Sequence, residues 1–424
     1  MAYVPATVVE VRAWGRTVGA ISGAPGDYTF EYSPEWRRSG AELSPLLMPR
    51  GRRLYRFPQL NPQTFYGLPP MLADALPDKF GNSVIDAWMA AQGISRADLT
   101  PLDRLSYLGD RAMGALEFVP DNGPGLAGPT ALDMAELIAA ARAVVAGSLG
   151  TEDEARSALA QIISVGTSAG GARPKAVVNI DEATSAITPG HTAPGPGEQA
   201  WLLKFDGLGV DHQLGSSQKY TRIEYAYSLM ARAAGIDVPE TRLLHETGRA
   251  HFLTRRFDRV GGERVHMQSL CGIAAVDFNL VATNDYAQLF TTIDALGLDD
   301  GARTEAFRRM AFNVAAANHD DHSKNVAFLL RNGGAWSLSP AYDVTYAHDA
   351  HSVWLDRHLM GVGGAFVGIE RPDLMMLADR FAIPGARSAI ADVNAAVDNW
   401  AQFAADAGLD AEAMDTVAVD LRAL

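Results

Sequence analysis

Cysteine is nearly absent from this chain: Cys271 stands alone among 424 residues. One thiol can form neither an internal disulfide nor a cysteine metal cage, which excludes a stapled secreted scaffold and a zinc finger. A reducing compartment such as the cytoplasm is expected. Positive charge is also scarce. Lys and Arg number 36 against 50 Asp and Glu, a net charge of −14 that opposes unaided binding to a phosphate backbone. Long apolar runs are missing too: no segment approaches about eighteen uninterrupted apolar residues. The opening stretch MAYVPATVVEVRAWGR carries Glu10 and Arg12 within its apolar part, so neither a signal peptide nor a membrane span is expected. No repeat recurs at roughly 20 to 50 residues, which excludes a solenoid or propeller. What is present is an ordinary globular composition, 48% hydrophobic and 20% charged. At roughly 150 residues per domain the length predicts two or three domains.

Thr7 to Trp14, Thr17 to Ile21 and Tyr28 to Tyr32 are rich in β-branched and aromatic residues and are broken by Gly15 and the Gly23 to Gly26 turn, as in a strand meander. Short helices are expected within Met71 to Gly93 and over Leu102 to Leu108. Asp121 to Pro129 reads as a linker, and Ala131 to Val145 and Glu152 to Ile162 as helices. Lys175 to Ile180, Ala200 to Phe205, Arg242 to Glu246 and His251 to Arg255 are candidate strands, with Ile187 to Glu198 a surface loop. Tyr220 to Gly235 places Ile223, Tyr227, Met230 and Ala234 on one helical stripe. Helices then dominate: Tyr286 to Leu296, Ala302 to Ala317, Ser388 to Ala404 and Ala411 to Leu424. One hairpin, Val326 to Leu330 with Trp336 to Leu338, turns at Asn332-Gly333. The order is an α+β N-terminal part, a small sheet with one helix, then a helical mass.

Four constellations could carry chemistry. Asn318-His319-Asp320-Asp321-His322-Ser323-Lys324-Asn325 follows a helix. Within it Asp320 and Asn325 have the D-x-x-x-x-N spacing of a kinase catalytic loop, in which the Asp receives the hydroxyl proton and the Asn holds a metal ion; His319 stands where a kinase has Arg. Asp343, past the hairpin, resembles the second metal-binding carboxylate, so Asn325 and Asp343 would offer Mg²⁺ two hard oxygen donors; a turn or cap residue is the alternative. Lys204 lies in the apolar strand Ala200 to Phe205 and Glu224 in the following helix, the Lys and Glu pattern that grips phosphates. The alternative is a snorkelling Lys and a solvated Glu. The run Ser164 to Lys175 holds Gly166, Gly170 and Gly171 and lets a backbone approach phosphates closely. It is neither a Walker loop nor G-x-G-x-x-G, and a plain flexible loop is the alternative. Its hydroxyls Ser164, Thr167 and Ser168 are possible phosphoacceptors.

In this order the motifs resemble the HipA family, bacterial serine/threonine kinases that act as toxins of type II toxin–antitoxin systems. The resemblance rests on Val18-Gly19, Tyr32 to Trp36, Leu43 to Leu47, Leu76-Pro77-Asp78 and Gly109 to Ala115. It continues through Gly170 to Lys175, Leu203-Lys204-Phe205, Arg256 to Arg259, Asn318 to Asn325 and Ala341-Tyr342-Asp343. It implies an α+β, protein-kinase-like bilobal fold: an extra N-terminal α+β subdomain over 1–125, a small β-rich N-lobe over 126–258 and a mainly helical C-lobe over 259–424. It implies Asp320 as the catalytic Asp, with Lys324 and His322 beside it and Lys324 steadying the transferring phosphoryl. Asn325 and Asp343 would be the Mg²⁺ ligands. ATP would meet Lys204, with Glu224 behind it, the run Gly170, Gly171, Ala172 and Lys175, and a hinge of Arg255, Arg256 and Phe257 touching adenine through backbone. Ser168 occupies what looks like the autophosphorylation position, with Thr167 and Ser164 as neighbours.

The resemblance further implies a helix-turn-helix, HipB-like antitoxin as partner, operator DNA reached only through that complex, and no membrane. It implies a translation component such as an aminoacyl-tRNA synthetase as substrate. The basic run Arg50, Arg52, Arg53 and Arg56 is either a contact to DNA or antitoxin or a solvated loop. Two other functions compete. One is metal-dependent phosphohydrolysis, with His319, Asp320, Asp321 and His322 as ligands helped by His348, His351 or His358. The other is a pseudokinase acting as a binding module or corepressor.

Overall fold

The computed structural model describes residues 5–123, 174–206, 219–246 and 248–424. The chain falls into two compact units. The first takes Met1–Gly209, Leu253–Gln268 and Leu330–Gly334; the second takes Val210–Phe252, Ser269–Leu329 and Ala335–Leu424. The units interleave along the chain, residues 253–268 and 330–334 belonging to the first. The helices expected at Ala131 to Val145 and Glu152 to Ile162, and the Gly-rich run as far as Arg173, lie outside the described residues.

In the first unit β1 (Val8–Ala13), β2 (Arg16–Ala24), β3 (Asp27–Tyr32) and β4 (Leu116–Val119) form an antiparallel sheet of order β3-β2-β1-β4. The two-residue period of β1 explains its placement: Val9, Val11 and Ala13 are buried while Glu10 and Arg12 pair on the other face. β2 runs past the expected end at Ile21 to Ala24. Gly19 sits where a Cβ would come within 2.1 Å of the Glu31 carbonyl oxygen on β3, so only glycine lets these strands approach. Among the described residues the two longest helices of this unit lie between β3 and β4 in the chain. α1 (Lys79–Ala91) buries Phe80, Val84, Ile85 and Met89, and α2 (Pro101–Leu108) starts on a Thr100–Asp103 capping box.

A second ladder in this unit joins β5 (Lys175–Asp181) antiparallel to β6 (Ile187–Pro189) on one side and to β7 (Glu198–Lys204) on the other. The loop expected over Ile187 to Glu198 is therefore partly strand. The pairing of Ile187–Pro189 with β5 overrides a turn-rich composition, and side chains reinforce it: Thr188 donates to Glu198, and the Asn179 side-chain amide to the Pro189 and Thr192 carbonyls.

The second unit holds α3 (Tyr220–Ala233), β8 (Thr241–Glu246) and β9 (Arg249–Arg255), whose last residues pass into the first unit. It continues with α4 (Tyr286–Ala295), α5 (Asp300–Ala315), β10 (Ala327–Leu330) and β11 (Trp336–Leu338). It ends with α6 (Ala386–Asp398), α7 (Trp400–Asp406) and α8 (Ala411–Ala418). Its core centres on Tyr227, wholly buried, whose ring meets Phe312 and Trp400 edge-on at 6.2 and 5.5 Å and whose hydroxyl donates to the Ala316 carbonyl at 2.7 Å. That seat for Trp400 marks the break in the helix expected to run unbroken from Ser388 to Ala404, which divides at Asn399. The last expected helix stops at Ala418 rather than Leu424, because the tail bonds elsewhere: the Arg422 amide donates to Ala315 and the Leu424 amide to the Asn394 side chain. Among the described residues no helix is long and apolar enough to cross a membrane.

Candidate active site

α5 delivers the chain to the loop Asn318–Asn325. The helix buries Phe307, Met310, Phe312 and Val314, and beyond it Ala317 takes a left-handed conformation, φ 48°, that turns the backbone out of the helix. The loop is then clamped from several directions. The His319 amide donates to the Ala347 carbonyl at 3.0 Å, and the His319 carbonyl accepts from Leu359 at 3.2 Å. Buried Ser323 donates to the Val276 carbonyl, and the Tyr342 hydroxyl donates to the Lys324 carbonyl.

Within this frame Asn325 is oriented by its own loop: its amide nitrogen donates to the Asp320 backbone carbonyl at 2.8 Å. That leaves the amide oxygen as the end available to a hard cation. Asn325 and Asp343 line one small cavity of about 30 Å³ together with Asn318, Asp321, Tyr286 and Arg309. The two expected metal ligands, eighteen positions apart in sequence, are thus brought together. Asp343 has φ 55°, a left-handed conformation that Asp tolerates better than most residues. An amide oxygen and a carboxylate fit Mg²⁺, which takes few protein ligands and keeps several waters. Asp320 itself presents a carboxylate that is 38% exposed, with Oδ1 accepting from the Trp354 indole nitrogen at 3.0 Å.

Asp321, the neighbouring acid, is a different kind of group. It is 3% exposed, and its carboxylate accepts from the Tyr286 hydroxyl at 2.9 Å, the His358 ring at 3.0 Å and the Leu359 and Met360 amides at 2.8 and 3.2 Å. Tyr286 in turn accepts from Asn313, whose side-chain oxygen accepts from Asn318. Burial, with the Asp321 charge adding to it, holds the Tyr286 phenol well above its ordinary pKa, so it stays a donor. Asp321 therefore organises the loop and has no lone pair left for a metal or substrate.

The histidines are likewise occupied. The His319 ring lies tilted against those of His348 and His358 at 4.8 and 4.3 Å and bonds the Leu355 carbonyl; burial, then the neighbouring imidazoles, lower its pKa to about 4. His348 pairs with Asp420 at 2.8 Å and His358 with Asp321. Among the described residues no group of three or more His, Cys, Asp or Glu is placed to hold a metal. The His and Asp ligand cluster of the phosphohydrolase alternative is therefore not assembled. His322 lies 3.7 Å from Asp320 Oδ1 and 5.4 Å from the Phe278 ring, and the Lys324 ammonium sits 5.1 Å over the same ring.

The remaining expected residues divide between the units. Glu224, on α3, belongs to the second and is buried rather than solvated. Lys175 and Lys204 belong to the first and stand directly opposite each other across β5 and β7, 2% and 9% exposed. Directly paired residues share a face, so this side of the ladder concentrates positive charge. Arg255 ends β9, and Arg256 and Phe257 follow it. The Arg256 amide donates to the Ala200 carbonyl at 2.9 Å, so only its carbonyl could meet adenine. Its side chain is committed too, bidentate to buried Asp258 at 2.9 and 2.8 Å. Asp258 also receives Arg259 at 2.8 Å and the Gly114 amide at 2.8 Å, while Arg259 and Arg264 donate to the Ala112 and Gly114 carbonyls. Burial works to raise the Asp258 pKa, but the guanidiniums outweigh it and hold the carboxyl below its usual range. This network ties the Gly109 to Ala115 motif to Arg256–Arg264.

Arg50 pairs with Glu42 and Arg56 with Asp27, so two of the four arginines in the basic run have acidic neighbours. Gly170, Gly171 and Ala172, with Ser164, Thr167 and Ser168, lie outside the described residues. Sequence reasoning missed Trp354 and the Tyr286, Asn313 and Asn318 chain behind Asp321, because their partners lie between 5 and 35 positions away with no fixed spacing to betray them.

Comparison with known proteins bears on this arrangement. A solved chain of HipA from Shewanella oneidensis MR-1, in a complex with HipB and operator DNA, superposes with a TM-score of 0.66 and 17% identity, covering 97% of this chain and 94% of that one. At that identity the likeness shows the fold alone, which is α+β. A Helicobacter pylori proinflammatory kinase, CtkA, superposes at only 0.33, with 13% identity over 52% of this chain and 90% of that one, too slight to argue from. A curated Sinorhizobium fredii protein, Y4dM, which carries a provisional kinase name, is 25% identical over 171 residues, 37% of this chain and 39% of that protein's length. The HipA N-terminal domain matches residues 9–119 and the HipA-like C-terminal domain residues 167–415, so the chain belongs to the HipA family.

Proposed function

We propose that this chain is an ATP- and Mg²⁺-dependent protein serine/threonine kinase acting as the toxin of a type II toxin–antitoxin system. The observation that supports it most is the loop itself: Asn325 anchors the Asp320 backbone and shares a cavity with Asp343, while the Asp320 carboxylate stays accessible. In this reading Asn325 and Asp343 hold Mg²⁺, which when bound neutralises phosphate charge. Lys175, Lys204, Glu224, Arg255 to Phe257 and Gly170 to Ala172 are the residues assigned to the nucleotide, the two lysines to its phosphate oxygens. Asp320 orients the acceptor hydroxyl and takes its proton, and Lys324 and His322 flank the transfer. There is little covalent work for the protein, so rate comes from positioning and charge.

The solved Shewanella relative assembles with HipB and operator DNA. By extension the partner here is a HipB-like helix-turn-helix antitoxin, and DNA is reached only through it. The net charge of −14 supports that division of labour, since the antitoxin would supply the phosphate neutralisation. The proposed target is a translation component such as an aminoacyl-tRNA synthetase, met in the cytoplasm, and Ser168, Thr167 or Ser164 is the proposed autophosphorylation site. Intact-mass spectrometry after incubation with ATP and Mg²⁺ tests the reading. A gain of one phosphate mapped between Ser164 and Ser168, absent in Asp320→Asn, is expected; equal gain in that variant refutes the role given to Asp320.

A further inference from the structure

The segment Asp349–Met360 folds back onto the catalytic loop and bonds it along its length. Leu355 offers its carbonyl to His319 at 2.9 Å, and Leu359 and Met360 give their amides to Asp321 at 2.8 and 3.2 Å. Between these anchors the Ser352 hydroxyl oxygen accepts from the Trp354 and Leu355 amides, both at 3.2 Å, and shapes the turn that aims the indole. The Trp354 indole nitrogen lies 3.0 Å from Asp320 Oδ1, and His322 Nε2 approaches the same oxygen at 3.7 Å. Both neighbours address one oxygen of a carboxylate that stays 38% exposed. The asymmetry has a chemical meaning. A general base that can swing presents the wrong lone pair for much of the time, whereas one held by a donor on a single oxygen presents the other continually.

We infer that Trp354 is a positioning residue for phosphoryl transfer: its indole N–H holds Asp320 Oδ1 and leaves Oδ2 to receive the proton of the acceptor hydroxyl. The inference rests on the kinase reading above. In the step concerned, the acceptor oxygen bonds to the γ-phosphorus of ATP, the bond from that phosphorus to the β,γ-bridging oxygen breaks, ADP leaves, and the hydroxyl proton passes to Asp320 Oδ2. An indole suits the holding role, because it donates one hydrogen bond and accepts none, so it neither competes for the proton nor carries charge into the site. Its rings also lie 6.4 Å from His322, which keeps the donor in place by packing.

The test uses the full chain with γ-labelled ATP and Mg²⁺, following label incorporated into the protein over a range of ATP concentrations. Trp354→Phe keeps an aromatic ring and removes the donor. It is expected to lower kcat about tenfold or more, the scale of one charge-assisted hydrogen bond, while KM for ATP moves less than about twofold. Trp354→Phe combined with Asp320→Asn is expected to be no slower than Asp320→Asn alone. A second variant guards against misfolding: benzothienylalanine at position 354, which swaps the indole N–H for sulfur at nearly constant shape, should reproduce the loss of kcat with an unchanged melting temperature. Wild-type kcat in both variants overturns the inference and leaves the kinase reading intact. Equal changes in kcat, KM and melting temperature also overturn it, since they mark a purely structural residue. If wild-type and Asp320→Asn label alike, the kinase reading itself fails and takes the inference with it.

Discussion

Replacing Asp321 separates a structural acid from the proposed catalytic one next to it. In the folded chain its carboxylate accepts four hydrogen bonds, from Tyr286, His358 and the Leu359 and Met360 amides, at 2.8 to 3.2 Å in a buried site. Asp321→Ala strands all four donors. A stranded buried donor costs about 1–3 kcal/mol, but water entering the neighbouring cavity of about 30 Å³ can satisfy one or two of them. A net loss of roughly 4 kcal/mol results, within the range seen when one member of a buried polar cluster is removed. Asp321→Asn is gentler. Its oxygen can keep the two backbone amides, and its NH₂ can donate to the Tyr286 oxygen, which reduces the expected loss to about 1–2 kcal/mol.

Urea unfolding followed by circular dichroism measures both losses as shifts of midpoint at constant slope. Phosphoryl transfer supplies the second readout: Asp321→Asn should retain it within a few-fold, whereas Asp320→Asn should abolish it. An Asp321→Ala variant within about 1 kcal/mol of the parent would refute the structural account. So would an Asn variant as damaged as the Ala variant.

Other outcomes follow from the same geometry. Asp258→Asn leaves the Arg256 and Arg259 guanidiniums facing each other without the carboxylate between them, and should cost about 3–5 kcal/mol in chemical unfolding. Gly19→Ala drives a methyl into the Glu31 carbonyl, so the first sheet should lose well over about 1 kcal/mol, read as a lowered melting temperature. His319 has a folded pKa of about 4 against an ordinary 6.5, so protonation favours the unfolded chain. Stability should be full above about pH 6.5 and decline by at most about 2–3 kcal/mol as pH falls toward 4, discounted for partial exposure. His319→Gln should flatten that part of the curve of melting temperature against pH. Lys175→Met and Lys204→Met should each weaken Mg-ATP binding about tenfold by calorimetry, and unchanged affinity in both would remove that ladder from the nucleotide site.

Much of the fold was legible because its signals are local. The alternation of β1, the stripe of Ile223, Tyr227 and Met230 on α3, and the run of Phe307, Met310 and Val314 on α5 each follow from one period and one solvent boundary. Errors arose where a distant partner outweighed local composition. Ile187–Pro189 reads as loop until β5 offers it a ladder, and the break at Asn399 accompanies the packing of Trp400 against Tyr227. The site divides in the same way. Asp320 and Asn325 were visible because a kinase-like spacing fits within one turn of loop, and the Asn325 to Asp320 hydrogen bond is the physical reason for that spacing.

By itself the amino-acid sequence determined most element types, the acidic net charge, the family and the residue types available for chemistry, because these depend on composition and on neighbours along the chain. Tertiary structure decided their roles. Asp320 and Asp321 are identical side chains one position apart, yet one faces an indole and solvent and the other is enclosed by four donors. Charge, exposure and hydrogen-bond partners are properties of a place in space. Folding assigned those places from residues up to 39 positions away, beyond the reach of any local pattern.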